Sequence, residues 1–213
     1  MNLIIEVIKN VFLVENILSA FYLAAISGIL IGIIYKSLSK ITPKLHKAQR
    51  IDKIITQILD NANKMVMREE KVDIRSCVFY ADKKRNKLRL FFTSSDFDGN
   101  SPERNISFEK GAGVVGKCWE LNEPVIGNIK NKKFEDILDW RISKSQYYKT
   151  RNLSAVLAVP IKSSMDESQV IGVFAFDSDQ ENAYNRFNKE EMVSIAIKHS
   201  ILVGKTFEKI ELV

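Results

Sequence analysis

The sequence predicts an α+β domain: an antiparallel sheet with helices packed on one face, preceded by a single N-terminal transmembrane helix. Three observations carry this. Strand-like runs come in adjacent pairs joined by polar turns, as hairpins do. Segments of helical periodicity flank this strand-rich region on both sides. Ahead of them lies a run of 20 residues without a charge, Asn16–Tyr35.

Taken in order, the uncharged run NILSAFYLAAISGILIGIIY comes first. As a helix it spans about 30 Å, the thickness of a bilayer core. Its start is mixed in charge and Lys36-Ser37-Leu38-Ser39-Lys40 makes a poor cleavage site, so a retained anchor is expected rather than a signal peptide. Lys36, Lys40, Lys44, Lys47 and Arg50 follow without an intervening acid. Such a basic flank stays on the cytoplasmic side and lies against anionic headgroups. The expected organisation is therefore a short extracytoplasmic stretch (1–15), a single-pass anchor in the cell membrane (16–35), a basic juxtamembrane linker (36–50) and a cytoplasmic domain (51–213). Ala24, Gly28 and Gly32 form a small-residue stripe that would let two such helices approach closely.

Net charge is +6, but residues 1–35 carry −1, 36–53 carry +5 and the remaining 160 carry only +2. The basicity is local, so nucleic acid is not expected as a partner. The two cysteines, Cys77 and Cys118, and two histidines, His46 and His199, have no metal-ligand spacing.

After Pro43, Ile51, Ile54, Ile55, Ile58, Leu59, Ala62, Met65 and Val66 recur at helical spacing, predicting a helix over about 44–68. It either packs on its own domain or pairs in a dimer. Ser76–Ala81 and Lys87–Thr93 read as a hairpin around the polar turn 82–86, and Asn105–Phe108 as a third strand. A short helix over Val114–Leu121 stops at Asn122-Glu123-Pro124. Pro124–Ile129 is a further strand, and Lys130–Asn152 an irregular aromatic stretch. Ser154–Ile161 and Val170–Asp177 are two strong strands. A final helix runs from Asn188, its expected cap, to about Leu212, and no output segment is expected after it.

Residues 111–116, GAGVVG, match the dinucleotide pattern G-x-G-x-x-G. That pattern needs a buried strand before it and a full crossover helix after it. Here the preceding run RNISFEK is charged and alternating, and the helix is about two turns long. The glycines are read as structural.

FEKGAGVVGKCW (108–119), then Asn122-Glu123-Pro124-Val125, then LAVPI (157–161), then VIGVFAFD (170–177), then Phe187-Asn188-Lys189-Glu190-Glu191 occur in an order and spacing that resemble the GAF domain family over roughly residues 50–210. The resemblance implies a ligand pocket between the sheet and the segment 130–152. Family ligands include cyclic nucleotides, tetrapyrroles and small metabolites, and many members bind nothing. Asn131-Lys132-Lys133-Phe134-Glu135-Asp136 only partly resembles the family's cyclic-nucleotide signature, and Cys118 is misplaced for a bilin. One branch reduces free methionine sulfoxide with a reactive cysteine; Cys77, inside an apolar strand, suits inert packing instead. Phe134, Trp140, Arg141, Tyr147 and Tyr148, with Phe174 and Phe176, are the candidate ligand-binding residues. The cations among and beside them, Arg141 and Lys149, favour an anionic ligand. The alternative for the aromatics is simple core filling.

The expectation is a non-catalytic, membrane-anchored sensor or regulatory module. It would bind a small ligand or an unidentified protein partner and signal through helices of a homodimer. No catalytic or metal site is expected, and no cofactor is indicated. The alternatives are an effector that perturbs the membrane when a ligand binds, and a thiol-dependent reductase.

Overall fold

The strands are β1 (Arg75–Asp82), β2 (Lys87–Thr93), β3 (Ser107–Glu109), β4 (Val125–Asn128), β5 (Ala155–Lys162) and β6 (Val170–Ser178). In this computed structural model, which describes residues 48–68, 70–98 and 101–211, they form one antiparallel sheet in the order β3-β2-β1-β6-β5-β4. Each strand begins or ends within two residues of its predicted bounds. Ile51–Val213 is one compact unit. The predicted membrane run, the basic cluster up to Lys47 and the small-residue stripe lie outside the described residues. No helix among the described residues is long and apolar enough to cross a membrane.

The helices are α1 (residues 48–68), α2 (Gly113–Leu121), α3 (Lys144–Thr150), α4 (Ala183–Phe187) and α5 (Glu190–Glu211). Two 3-10 turns, Pro102–Asn105 and Phe134–Trp140, complete the fold. The expectation that helices cover one face is corrected here: both faces are covered. On one, Ile55, Leu59, Ala62 and Val66 of α1 and Met192, Ile195, Ala196 and Val203 of α5 pack on Val78, Leu157, Val159, Phe174 and Phe176. On the other, Val114, Val115 and Cys118 of α2 cover Cys77, Phe79, Val156, Ala158, Val173 and Ala175. Alternate residues of each strand point to opposite faces, so the strands VIGVFAFD and SAVLAVPI, with apolar residues on both faces, had to be covered twice.

Pro160 sits in the interior of β5 without breaking the ladder. β4 pairs with β5 only over Ala155–Ala158, so no neighbour needs the N–H that Pro160 lacks. α1 is fixed to the β1–β2 hairpin by polar contacts: the Ser76 hydroxyl donates to the Leu59 carbonyl at 3.1 Å, and the Ser95 N–H donates to Asp60 Oδ1 at 2.8 Å.

Candidate functional site

The glycine turn shapes the inner layer. Gly111 (φ +82°) and Gly113 (φ +63°) take backbone angles that favour glycine. A Cβ on Gly116 would stand 2.3 Å from the Glu109 carbonyl oxygen. These three close the chain from β3 into α2 and seat α2 on the sheet.

Beneath α2, near one edge of its layer, a cavity of about 50 Å³ is lined by Cys77, Phe79, Phe97, Ile106, Thr150 and Ala175, among others. The cavity is capped at one end by charge. Arg75 and Asp177 face each other across β1 and β6. Arg75 Nε donates to Asp177 Oδ1 at 2.7 Å, and Arg75 Nη2 lies 3.0 Å from Glu103 Oε2. The guanidinium rests on the Phe97 ring, 4.7 Å from its centroid.

Glu103, Leu153 and Asp177 also line an open cleft of about 520 Å³. Asp73, Asp96, Asp98 and Asp179 stand in its walls with Arg75 and Lys149, so carboxylates outnumber cations there. Burial pushes the Asp177 carboxyl up to about 6, with Arg75 opposing the rise. For Arg75, burial works against the charge, but Asp177 and Glu103 outweigh it and raise its pKa.

The predicted site residues are scattered. Phe134, Tyr147 and Tyr148 form a ridge of edge-to-face rings with centroids 5.7 and 5.5 Å apart, held by the Tyr147 hydroxyl donating to the Lys132 carbonyl. Tyr148 is mostly exposed. Trp140 lies against Gly127 and Val114, with the Lys117 ammonium 4.4 Å from its ring centroid. Arg141 faces solvent 3.8 Å from Glu120. Phe174 and Phe176 are fully buried on the opposite face, against α1 and α5. None of the seven lines the inner cavity or the cleft. The residues that sequence reasoning passed over are Arg75, Glu103 and Asp177. A signal was present: Val173, Ala175 and Asp177 share one strand face, so the acid continues an inward row.

Both cysteines are buried, Cys77 in β1 and Cys118 in α2. Burial raises both thiols, Cys77 well above its ordinary value. Neither offers an exposed thiolate. Among the described residues no group of three or more His, Cys, Asp or Glu side chains is placed to hold a metal ion.

No family model and no curated protein matches the chain. Solved structures do. It is similar to residues 122 to 287 of a methyl-accepting chemotaxis protein (17% identity, 77% of this chain and 96% of that one, TM-score 0.52). It is similar to the GAF domain of a two-component sensor histidine kinase from Bacillus halodurans (15%, 73% and 95%, TM-score 0.51). A third likeness is to the GAF domain of an Acinetobacter phosphoenolpyruvate-protein phosphotransferase (19%, 79% and 94%, TM-score 0.50). At such identities the shared property is the fold.

Proposed function

Starting from the GAF fold, we propose that the chain is a non-catalytic sensory or regulatory module, anchored in the cell membrane through residues 16–35 with this domain in the cytosol. A small ligand binds where the inner cavity meets the cleft, and the change is passed to the terminal helices of a dimer. One observation carries the ligand reading: a cross-strand pair, half-buried Arg75 and buried Asp177, stands between an apolar cavity and an open cleft. Such a pair can exchange one of its hydrogen bonds for a ligand's without leaving a buried charge alone.

The cleft's surplus of carboxylates favours a ligand bearing a positive charge, in place of the anion suggested by Arg141 and Lys149. A route to the helices exists. Asp96 in the cleft wall accepts from Asn63 Nδ2 of α1 at 3.3 Å, and Met67 of α1 lines the cleft itself. The signalling proteins among the similar structures, a sensor kinase and a chemotaxis protein, accord with this reading. The anchor rests on the uncharged run and its basic flank.

The test is native mass spectrometry of the full chain extracted from membranes in detergent. The expected result is a retained small molecule that Asp177→Asn loses. An empty protein whose melting temperature is unmoved by a panel of amines and carboxylates would sink the ligand reading. Release of the chain from membranes by alkaline carbonate would sink the anchor.

A further inference from the structure

The opposite charge collects at the far edge of the sheet. β3 is the edge strand, and two hollows lie beside it. The hollow toward α3, about 370 Å³, is lined by Arg141, Ser143 and Lys149. The other, about 670 Å³, is lined by Arg85, Arg89 and Arg104. Lys87, Asn105, Ile106 and Ser107 belong to both, so the two adjoin as one groove at the edge.

Six cations line this groove, and Glu109 is the one carboxylate among the lining residues. Three of the six already have acidic partners: Arg85 with Asp82 at 3.8 Å, Lys87 with Glu109 at 3.3 Å, and Arg141 with Glu120 at 3.8 Å. Arg89, Arg104 and Lys149 have no ion pair among the described residues. These three come from β2, a 3-10 turn and α3, so the fold gathers them. They are not one solvated helix face or one run of sequence.

Cations spread along a groove suit several negative groups in a row better than a single one. Serine hydroxyls at Ser107, Ser143 and Ser145 add donors. Among the described residues no aromatic side chain lines either hollow to give the bases of a nucleic acid strand a platform to stack on. We propose that this groove binds a chain of phosphoryl groups, supplied either as inorganic polyphosphate or as the phosphate tail of a nucleotide. The groove shares Lys149 with the Arg75–Asp177 cleft, but its other five cations stand outside the cleft, and the proposal goes beyond the function proposed there.

The experiment is calorimetric titration of the full chain in a non-ionic detergent with inorganic tripolyphosphate, ATP and orthophosphate. The expected result is saturable tripolyphosphate binding that weakens as salt is raised, with orthophosphate at least about tenfold weaker. Arg89→Glu and Arg104→Glu should each weaken tripolyphosphate about tenfold, and Lys149→Gln, in the other hollow, should weaken it as well. Lys84→Glu, in the β1–β2 turn outside the groove, and Asp177→Asn, in the cleft, should leave it within about twofold. Tighter binding of ATP than of tripolyphosphate identifies a nucleotide as the source; the reverse identifies the inorganic chain. No saturable binding overturns the proposal. So does equal weakening by Lys84→Glu and Arg104→Glu, which would mean diffuse attraction to a basic surface. Near-UV circular dichroism identifies any variant that fails to fold, and Arg104→Gln then replaces Arg104→Glu.

Discussion

Asp177 is a carboxylate whose chemistry departs far from its surface behaviour. It lies buried at the end of an inward-facing row and titrates at about 6 instead of 3.8. An acid whose pKa is higher in the folded chain than in the unfolded one holds its proton more tightly when folded. Its contribution to stability is therefore full below pH about 4 and is lost as pH rises through about 6. Two units correspond to about 3 kcal/mol. We expect urea unfolding of the wild-type chain, followed by tryptophan fluorescence, to show a fall in stability over pH 4–6 that Asp177→Asn largely removes. An unchanged pH slope in the variant would assign the fall to other groups. Glu70 behaves in the opposite sense. The hydrogen bond from Lys189 at 2.6 Å, assisted by Arg186, holds its carboxyl below the usual value. Its contribution is present above the unfolded pKa and lost as pH falls through the folded one.

At the scale of elements, α2 shows how much a short helix can depend on one position. Its first turn packs so close to β3 that the Gly116 site has no room for a methyl group. Gly116→Ala should destabilise the domain by about 3 kcal/mol or more, because the group it meets is backbone and not a flexible side-chain tip. A chemical-denaturation midpoint unchanged in that variant would show that α2 can shift outward. Periodicity located α1, α2 and α5, as well as all six strands. It missed α3 and α4, of seven and five residues, since so few residues give no recognisable repeat. α3 did carry a local mark, the capping box in which Ser143 and Gln146 satisfy each other's backbone N–H groups. Asn188, expected as the cap of the last helix, instead ends α4, its N–H donating to Tyr184. α5 begins two residues later, at Glu190.

Over the whole molecule, two cores on either side of one sheet hold the domain together, and the two thiols sit in the inner one. They become reactive only when that layer opens, so alkylation should report global unfolding. Iodoacetamide should label neither Cys77 nor Cys118 in the native chain and both in urea; rapid native labelling of Cys118 would show that α2 opens on its own. Alternation and helical spacing in the sequence were sufficient for the α+β class, the strand order in the chain and the structural use of GAGVVG, because these depend on local backbone preference and on which positions are apolar. The aromatic residues chosen as a pocket were legible as a cluster, and three of them, Phe134, Tyr147 and Tyr148, do touch. Where that cluster points was not legible. Only pairing β1 with β6 sets Arg75 opposite Asp177, 102 residues apart. Only the covering of both faces sends Phe174 and Phe176 away from the cavity. Arg89, Arg104 and Lys149, which have no ion pair among the described residues, likewise come to adjoining hollows through long-range packing. The sequence by itself determined the six strands, the helices α1, α2 and α5, and the composition of their faces. Tertiary structure decided which charged groups meet, because register and layer order are set by contacts between segments distant in the chain.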